Sequence, residues 1–364
     1  MRRLLMVAYP LLPVSERSAG GAEQMLWALE RELAARGSET EVAACAGSST
    51  SGKLIVTGET PSEIRDGNAE REREHTERVL AACASGKFDM VLDHSGHFFR
   101  HAAQVDSYVL ATLHLPRALY PADAFENVAE NVYFNCVSET QKAEFTDLPR
   151  MMPVVRNGID VNRFAMGRRR SDYVMWLGRV CPEKAPHLAI DAAQKAGLPI
   201  IVAGQVYPFH WHQEYWEREV KPRIDHDRVR WVELPSFEEK ARLLREARAL
   251  LVTSQVAETN SLVALEAMAC GTPVIAFGAG ALKEVVTKET GFLVQNVDEM
   301  ARACGALGGI RAMDCRRWVE QEYSVKAMAD GYEALIESLE EQKRWTERRE
   351  QEASEDDHSS DGRG

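Results

Sequence analysis

Short apolar runs of strand length alternate with helical patterns along this chain, and the whole alternation occurs twice. Leu4 to Ala8, Glu41 to Cys45, Asp89 to Leu92, Tyr108 to Leu113 and Val132 to Val137 form the first series. Tyr173 to Leu177, Pro199 to Ala203, Val229 to Val232, Ala249 to Thr253, Val274 to Phe277 and Phe292 to Val294 form the second. Between them, residues 22 to 35 and 124 to 131 carry the clearest helical patterns. Near-continuous apolar runs of this length are buried on both faces, which a parallel sheet covered by helices achieves. With 364 residues the chain exceeds one ordinary core and suits two. The expected fold class is α/β, with two doubly wound Rossmann-like domains facing a cleft where a substrate can bind.

After Val154-Val155-Arg156-Asn157-Gly158 the sequence turns polar and basic, ending in Gly167-Arg168-Arg169-Arg170-Ser171. The expected organisation is a first domain over 1–160, a linker over 161–171 and a second domain over 172–316. Helix-forming residues from about Val319 to Lys343 predict a closing helical segment, 317–345, able to cross back to the first domain. Residues 346–364, poor in apolar side chains, are expected to be disordered, and Ser48 to Asn68 to be irregular. The opening Met1 to Pro10 reads as a buried strand, because its apolar stretch breaks at Pro10 with no small-residue cleavage site after it.

No apolar run approaches the roughly 18 residues needed to span a bilayer. The seven cysteines are scattered and show neither CxxC nor paired spacing, as expected of reduced cytosolic thiols. A cytoplasmic protein with at most peripheral membrane contact is expected. Lys and Arg number 44 against 56 Asp and Glu, a net charge of −12 that argues against a nucleic-acid partner. The acidic run Glu70 to Glu77 reads as a solvated helix face.

The stretch Ala249 to Phe277 describes a strand, a polar loop, a helix and a second strand, with Gly271-Thr272-Pro273 as the returning turn. Such units bind ligands at the carboxyl ends of their strands. Glu258 falls in the loop and Glu266 on the helix. Asn260 or Ser261 can cap that helix, whose free N–H groups suit an anion. Ser18-Ala19-Gly20-Gly21 likewise follows the first strand and opens the first helix, with glycines that let a ligand approach the backbone. In Gly178-Arg179-Val180-Cys181-Pro182-Glu183-Lys184 a strand end carries two cations five positions apart, and they suit a diphosphate. GxGxxG is absent, so a nicotinamide or flavin site lacks its main support. Phosphate requires cations and N–H donors, whereas sugar hydroxyls require carboxylate acceptors.

The string GRVCPEK, the segment AIDAAQKAGLPIIVAG and the run Glu258 to Ile275 closely resemble the retaining glycosyltransferases of family 4, which have the GT-B fold. The resemblance extends to GGAE near the start, Asn157-Gly158-Ile159-Asp160 and Gly291-Phe292-Leu293-Val294. It implies that Arg179 and Lys184 hold the diphosphate of a nucleotide-sugar donor, Glu258 the hydroxyls of the transferred sugar, and Glu266 the ribose. Asn260, Ser261 and Leu262 would complete the phosphate cradle, with Gly20, Gly21 and Gly178 lining the donor. His114 matches the active-site histidine that contacts the sugar. The chain departs from the family at Ala185 and at Glu233-Leu234-Pro235, where glycines are common, and at Thr259-Asn260.

Three histidine groups also invite a metal: Asp93-His94-Ser95-Gly96-His97 with His101, His210-Trp211-His212, and Asp225-His226-Asp227. Neither metal nor cofactor is assigned to them, and Asp93 and His94, at a strand end, are instead expected on the acceptor side. The expected activity is transfer of a hexose from a nucleoside-diphosphate sugar to the hydroxyl of an acceptor, saccharide, lipid-linked or small molecule, with retention and without a metal. The alternatives are a catalytically inactive nucleotide-sugar-binding protein and a nucleotide-sugar epimerase.

Overall fold

The structure is a computed structural model that describes every residue except 17, 19, 62–68, 168–169 and 361–364, with side chains through residue 346 and at 348. Ala19, Arg168, Arg169, part of the segment expected to be irregular and the last four residues thus lie outside the described residues. The first sheet consists of β1 (Arg3–Val7), β2 (Glu39–Ala44), β3 (Lys53–Val56), β4 (Met90–Asp93), β5 (Tyr108–Leu113) and β6 (Val132–Cys136), in the order β3-β2-β1-β4-β5-β6. All its pairings are parallel. Helices α1 (Gly21–Ala35), α2 (Ala69–Ser85) and α3 (Glu139–Lys142) accompany it.

The second sheet repeats the plan with β7 (Val174–Arg179), β8 (Ile200–Gln205), β9 (Val229–Glu233), β10 (Leu250–Val252), β11 (Val274–Phe277) and β12 (Gly291–Val294), in the order β12-β11-β10-β7-β8-β9. Its helices are α4 (Pro186–Lys195), α5 (His210–Tyr215), α6 (Phe237–Glu246), α7 (Leu262–Ala269), α8 (Leu282–Val285), α9 (Val297–Gly305) and α10 (Ala312–Glu322); α11 (Val325–Ser360) follows. These are the two doubly wound, Rossmann-like domains that the alternation predicted. Each sheet is buried on both faces by a separate apolar cluster. In both, the direction of winding reverses beside the first strand, between β1 and β4 and between β7 and β10, and a crevice opens at that point.

Four local expectations need correction. Residues 124–131 form turns, because Asn127 adopts a left-handed φ of 53° and Phe125 leaves the helical path to stack on Phe99 and meet Phe145 edge to face. β3 lies within the stretch expected to be irregular; Lys53-Leu54-Ile55-Val56 is half-exposed at a sheet edge and has too little apolar contrast to stand out. Val161 and Phe164, expected in the linker, are buried in the core of the second domain. The closing segment is two helices interrupted at Tyr323-Ser324, and the second continues to Ser360, through most of the tail expected to be disordered. That tail is poor in apolar residues, but its Glu, Gln and Arg, with Ala353, are strong helix formers.

α11 carries the chain back to the first domain. Met328, Ala329, Tyr332, Leu335, Ile336 and Leu339 follow helical spacing and bury against Leu26, Leu29 and Leu33 of α1. Tyr332 Oη meets Thr112 Oγ1 at 2.9 Å, and Arg36 reaches Asp330 and Glu333 at 2.7 and 2.6 Å. The two passes between domains run side by side: Ile159 N donates to Tyr323 O at 2.8 Å and Val325 N to Ile159 O at 3.0 Å. Gly158 permits this approach, since a Cβ there would lie 2.2 Å from Ser324 O. Gly158→Ala must separate two backbones, so chemical denaturation should show a loss of about 1–3 kcal/mol.

Candidate functional site

The crevice of the second sheet opens into a cavity of about 500 Å3. β7 brings Gly178 and Arg179 to its wall, the turn before α4 brings Lys184, and the loop after β10 brings Glu258, Asn260 and Ser261. Glu266 enters from the second turn of α7. The structure therefore assembles these predicted residues, with Gly21 and Leu262, around one space. Arg179 is exposed and, among the described residues, has no side-chain hydrogen bond or salt bridge. Lys184 Nζ donates to Glu258 Oε1 at 2.6 Å, and the Ser254 hydroxyl donates to the same oxygen.

Ser261 occupies the N-cap position of α7, but its side chain does not cap the helix. Its buried Oγ and the buried Nδ2 of Asn260 have no hydrogen-bond partner. The first N–H groups of α7 have no intrahelical acceptor either, as at any helix start. Donors without acceptors, a helix N-terminus and two cations at a strand end together form an anion site. The carboxylates beside it accept from hydroxyl or ammonium groups. Both are paired: Lys240 of α6, missed in the sequence, donates to Glu266 Oε1 at 2.6 Å.

Gly204 was also missed. Its φ is +151°, and a Cβ there would lie 1.8 Å from Gly178 O, so the ends of β7 and β8 meet without side chains and leave the cavity floor clear. Gly280, at φ +55°, lets the loop after β11 lie against the backbone of Glu258, where Ala281 N donates to Glu258 O at 2.8 Å. The two departures from family glycines have a shared geometry: Ala185 and Leu234 both sit at left-handed φ, 46° and 43°.

A second cavity of about 670 Å3 adjoins the first, and Gly21, Asn260 and Leu262 line both. Its first-domain wall includes Gly20, His94 and His114. Gly20 is the N-cap of α1, and Gly21 faces Leu262 of the other domain at contact distance. His94 Nδ1 and His114 Nε2 lie 3.0 Å apart. Burial holds His114 down at about 4 and His94 well below the usual imidazole value, so the pair is neutral at pH 7 and one ring donates to the other. Thr259 Oγ1 donates to His114 O at 2.8 Å and ties the two domains at this point.

Asp93 does not reach the cavity. It is fully buried and accepts from Ser95 N, Ser95 Oγ and Phe99 N at 2.8, 2.6 and 2.8 Å, which fixes the turn that carries His94. Its assignment to the acceptor side is corrected to a supporting one. The first histidine group does not converge: His94 pairs with His114, and the His97 ring lies against Tyr9 and His75. Asp225 is used within its own turn, accepting from Asp227, Arg228 and Val229 N.

Residues 171–308 match the family described as Glycosyl transferases group 1. The chain is 31% identical over 229 residues to D-inositol 3-phosphate glycosyltransferase of Salinispora tropica, covering 52% of this chain and 47% of that one. It is 30% identical over 175 residues to the enzyme of that name from Mycobacteroides abscessus, covering 44% and 39%. The matched part is thus less than half the length of these relatives. Among solved structures, sucrose-phosphate synthase from Thermosynechococcus elongatus superposes with a TM-score of 0.78 at 20% identity, over 93% of this chain and 99% of that one. Anabaena Alr3699/HepE in complex with UDP-glucose does so with 0.72 at 16% identity, over 93% and 100%. The chain has the GT-B fold, and the part of it that matches the group 1 glycosyl transferases is residues 171–308. The resemblance read from the sequence thus meets a group 1 glycosyl transferase match over 171–308 and the same fold over 93% of the chain. Among the described residues no helix is long and apolar enough to cross a membrane.

Two predictions follow from this geometry. Leu234 is 60% exposed and held at positive φ, so Leu234→Gly should gain about 0.5–1 kcal/mol in urea denaturation by removing left-handed strain. His114 is neutral when folded and protonates near 6.5 when unfolded, so below pH 6.5 the unfolded state binds the extra proton. His75, lowered to about 3 by burial, acts in the same direction. Stability should fall between pH 6.5 and 4 by up to about 1.4 kcal/mol per pH unit for each such histidine. Denaturation curves across this range should be shallower in pH for His114→Gln; an unchanged slope would remove His114 from the account.

Proposed function

We propose that the protein transfers a hexose from a nucleoside-diphosphate sugar to an acceptor hydroxyl, with retention at the anomeric carbon. The observation that carries this reading is the unpaired guanidinium of Arg179 beside the Lys184–Glu258 pair, at the crevice of the second sheet and the start of α7. The Anabaena structural neighbour in complex with UDP-glucose supports a donor of this class. Its diphosphate would lie against Arg179, Lys184 and the α7 N-terminus. Glu266 would accept from the ribose hydroxyls. The sugar would extend toward Gly21, Asn260 and His114, where the two cavities meet, with its hydroxyls on Glu258.

In the proposed step, the bond between the anomeric carbon and the diphosphate oxygen breaks as the acceptor oxygen bonds the same face of that carbon. The acceptor proton passes to the departing phosphate oxygen. Negative charge grows on the diphosphate, so Arg179 and Lys184 act most strongly in the transition state, and the reading asks for no divalent ion there. The neutral His94–His114 pair orients the sugar through hydrogen bonds and adds no charge to the acceptor compartment. The acceptor enters through the first-domain cavity, past Tyr9 and Tyr120. All seven cysteines are free, which supports a reducing, cytosolic setting.

Arg179→Ala should lower kcat at saturating donor by a factor on the order of 100 or more, read as nucleoside diphosphate released from a panel of donors. Near-normal turnover would overturn the assignment. Glu266→Gln should chiefly weaken donor binding in calorimetry, whereas Glu258→Gln should chiefly lower turnover. An epimerised donor in place of released diphosphate would mark an isomerase instead, and binding without release would mark an inactive binding protein.

A further inference from the structure

Beside the donor cavity, Cys181 Sγ, a carboxylate oxygen of Glu183 and a ring nitrogen of His212 lie within 4.8 Å of one another. Cys181 and Glu183 stand on the turn between β7 and α4, and His212 stands on α5. Cys181 is fully buried, His212 is 3% exposed, and Glu183 reaches the surface. His212 Nδ1 is buried without a hydrogen-bond partner, although the rings of Tyr207, Phe209 and Trp211 enclose the side chain. The imidazole thus has a buried nitrogen without a partner on a ring close to a thiol and a carboxylate, and the thiol, which donates to Arg179 O at 3.6 Å, would give up that weak bond to a metal.

We propose that Cys181, Glu183 and His212 bind one zinc ion. The sulfur, nitrogen and oxygen set suits zinc over magnesium or calcium, which take oxygen ligands. Three protein ligands leave a fourth position for water, and the surface side of Glu183 admits both water and ion. Ligand atoms around tetrahedral zinc stand roughly 3.5 Å apart, given metal–ligand distances of about 2.0–2.3 Å, so the set must draw together by about 1 Å. Glu183 is exposed, and its carboxylate already interacts with Cys181 and His212, so its side chain can supply part of that movement.

The ion would cross-link two segments that border the donor cavity. Arg179 and Lys184 flank Cys181 and Glu183 in sequence, and Tyr207 precedes α5 on the same wall. Loss of the Cys181 thiol proton on binding turns a neutral buried group into a ligand charge, which the cation offsets. The site is structural and lies apart from the reacting sugar. Its occupancy would fix the turn that follows Arg179 at the end of β7 and carries Lys184.

The test uses the full chain, stripped with a chelator and titrated with Co2+ and then Zn2+ under reducing conditions. One equivalent of Co2+ should produce a near-ultraviolet thiolate-to-cobalt absorption that one equivalent of Zn2+ removes. Cys181→Ser should abolish the band, while Cys83→Ser, at a partly exposed cysteine elsewhere, should retain it. Glu183→Gln, at a surface position where misfolding is not at issue, should weaken zinc affinity about tenfold or more, as should His212→Ala. A missing band in the folded wild-type protein, or a band that survives in Cys181→Ser, would overturn the site. Either result would leave the proposed transfer reaction untouched, because the readout is metal binding.

Discussion

The paired crossing at Ile159 and Ser324-Val325 determines how the two halves of this molecule work together. Two sheets with separate cores have no intrinsic reason to keep a cleft of constant shape, because an interdomain contact made only of side chains allows relative motion. Here the outgoing and returning chains hydrogen-bond to each other as a parallel bridge, and α11 then buries six side chains in the first core. Glu284 adds a contact between the domains, accepting from the N–H groups of Glu139 and Thr140 at the start of α3 at 3.0 and 2.6 Å. Thr259 and His114 supply another at the mouth.

With the cleft held in this way, the two crevices of the sheets face each other. Each is the place where the helices on either side of a reversing sheet part, and each receives the N-terminus of a helix, α1 from one domain and α7 from the other. The carboxylates in the second crevice would repel an anionic ligand if they were unpaired. Lys184 and Lys240 pair with them at 2.6 Å, and the long flexible stem of a lysine lets its ammonium be shared between a carboxylate and a phosphate in the proposed complex. Among the described residues Arg179 makes no salt bridge, and Glu183 acts on it only at longer range, so no close ion pair must break for its guanidinium to meet a ligand.

The sequence exposes most of this arrangement because both sheets are buried on two faces, and continuous apolar runs such as Leu4-Leu5-Met6-Val7 and Val274-Ile275-Ala276-Phe277 stand out from their surroundings. The half-exposed edge strand at Lys53-Leu54-Ile55-Val56 does not. The helix expected over 124–131 follows a correct apolar spacing, but those side chains serve an aromatic cluster in a folded loop, and the spacing is the same in either case. Glu258 and Glu266 are legible because they lie close in sequence within one βαβ unit. Lys240 lies 26 residues from Glu266, on a helix of its own, and becomes a site residue only through α6 packing beside α7. Asp93 shows the opposite limit: its place at a strand end is visible, whereas the burial that commits its carboxylate to Ser95 and Phe99 is a tertiary fact. His212 and Cys181 are brought together in the same way by the adjacency of β7 and β8.

In the proposed reaction the cleft also sorts its contents by charge. Arg179, Lys184 and Lys240 all line the second-domain compartment. The first-domain compartment contains Glu23 and Glu72, His94 and His114, which burial keeps neutral, His97, whose ring lies against Tyr9 and His75, and Arg100, which is engaged with Asp123 at 2.7 Å. A molecule with a diphosphate at one end and an uncharged sugar at the other has one favourable orientation in such a field, phosphate inward on the second domain and sugar toward His114. Protonated histidines would flatten that gradient by offering the diphosphate a second cationic surface. Their burial therefore does more than fill the first domain, since in the proposed reaction it keeps these two rings from competing with Arg179 and Lys184 for the departing diphosphate.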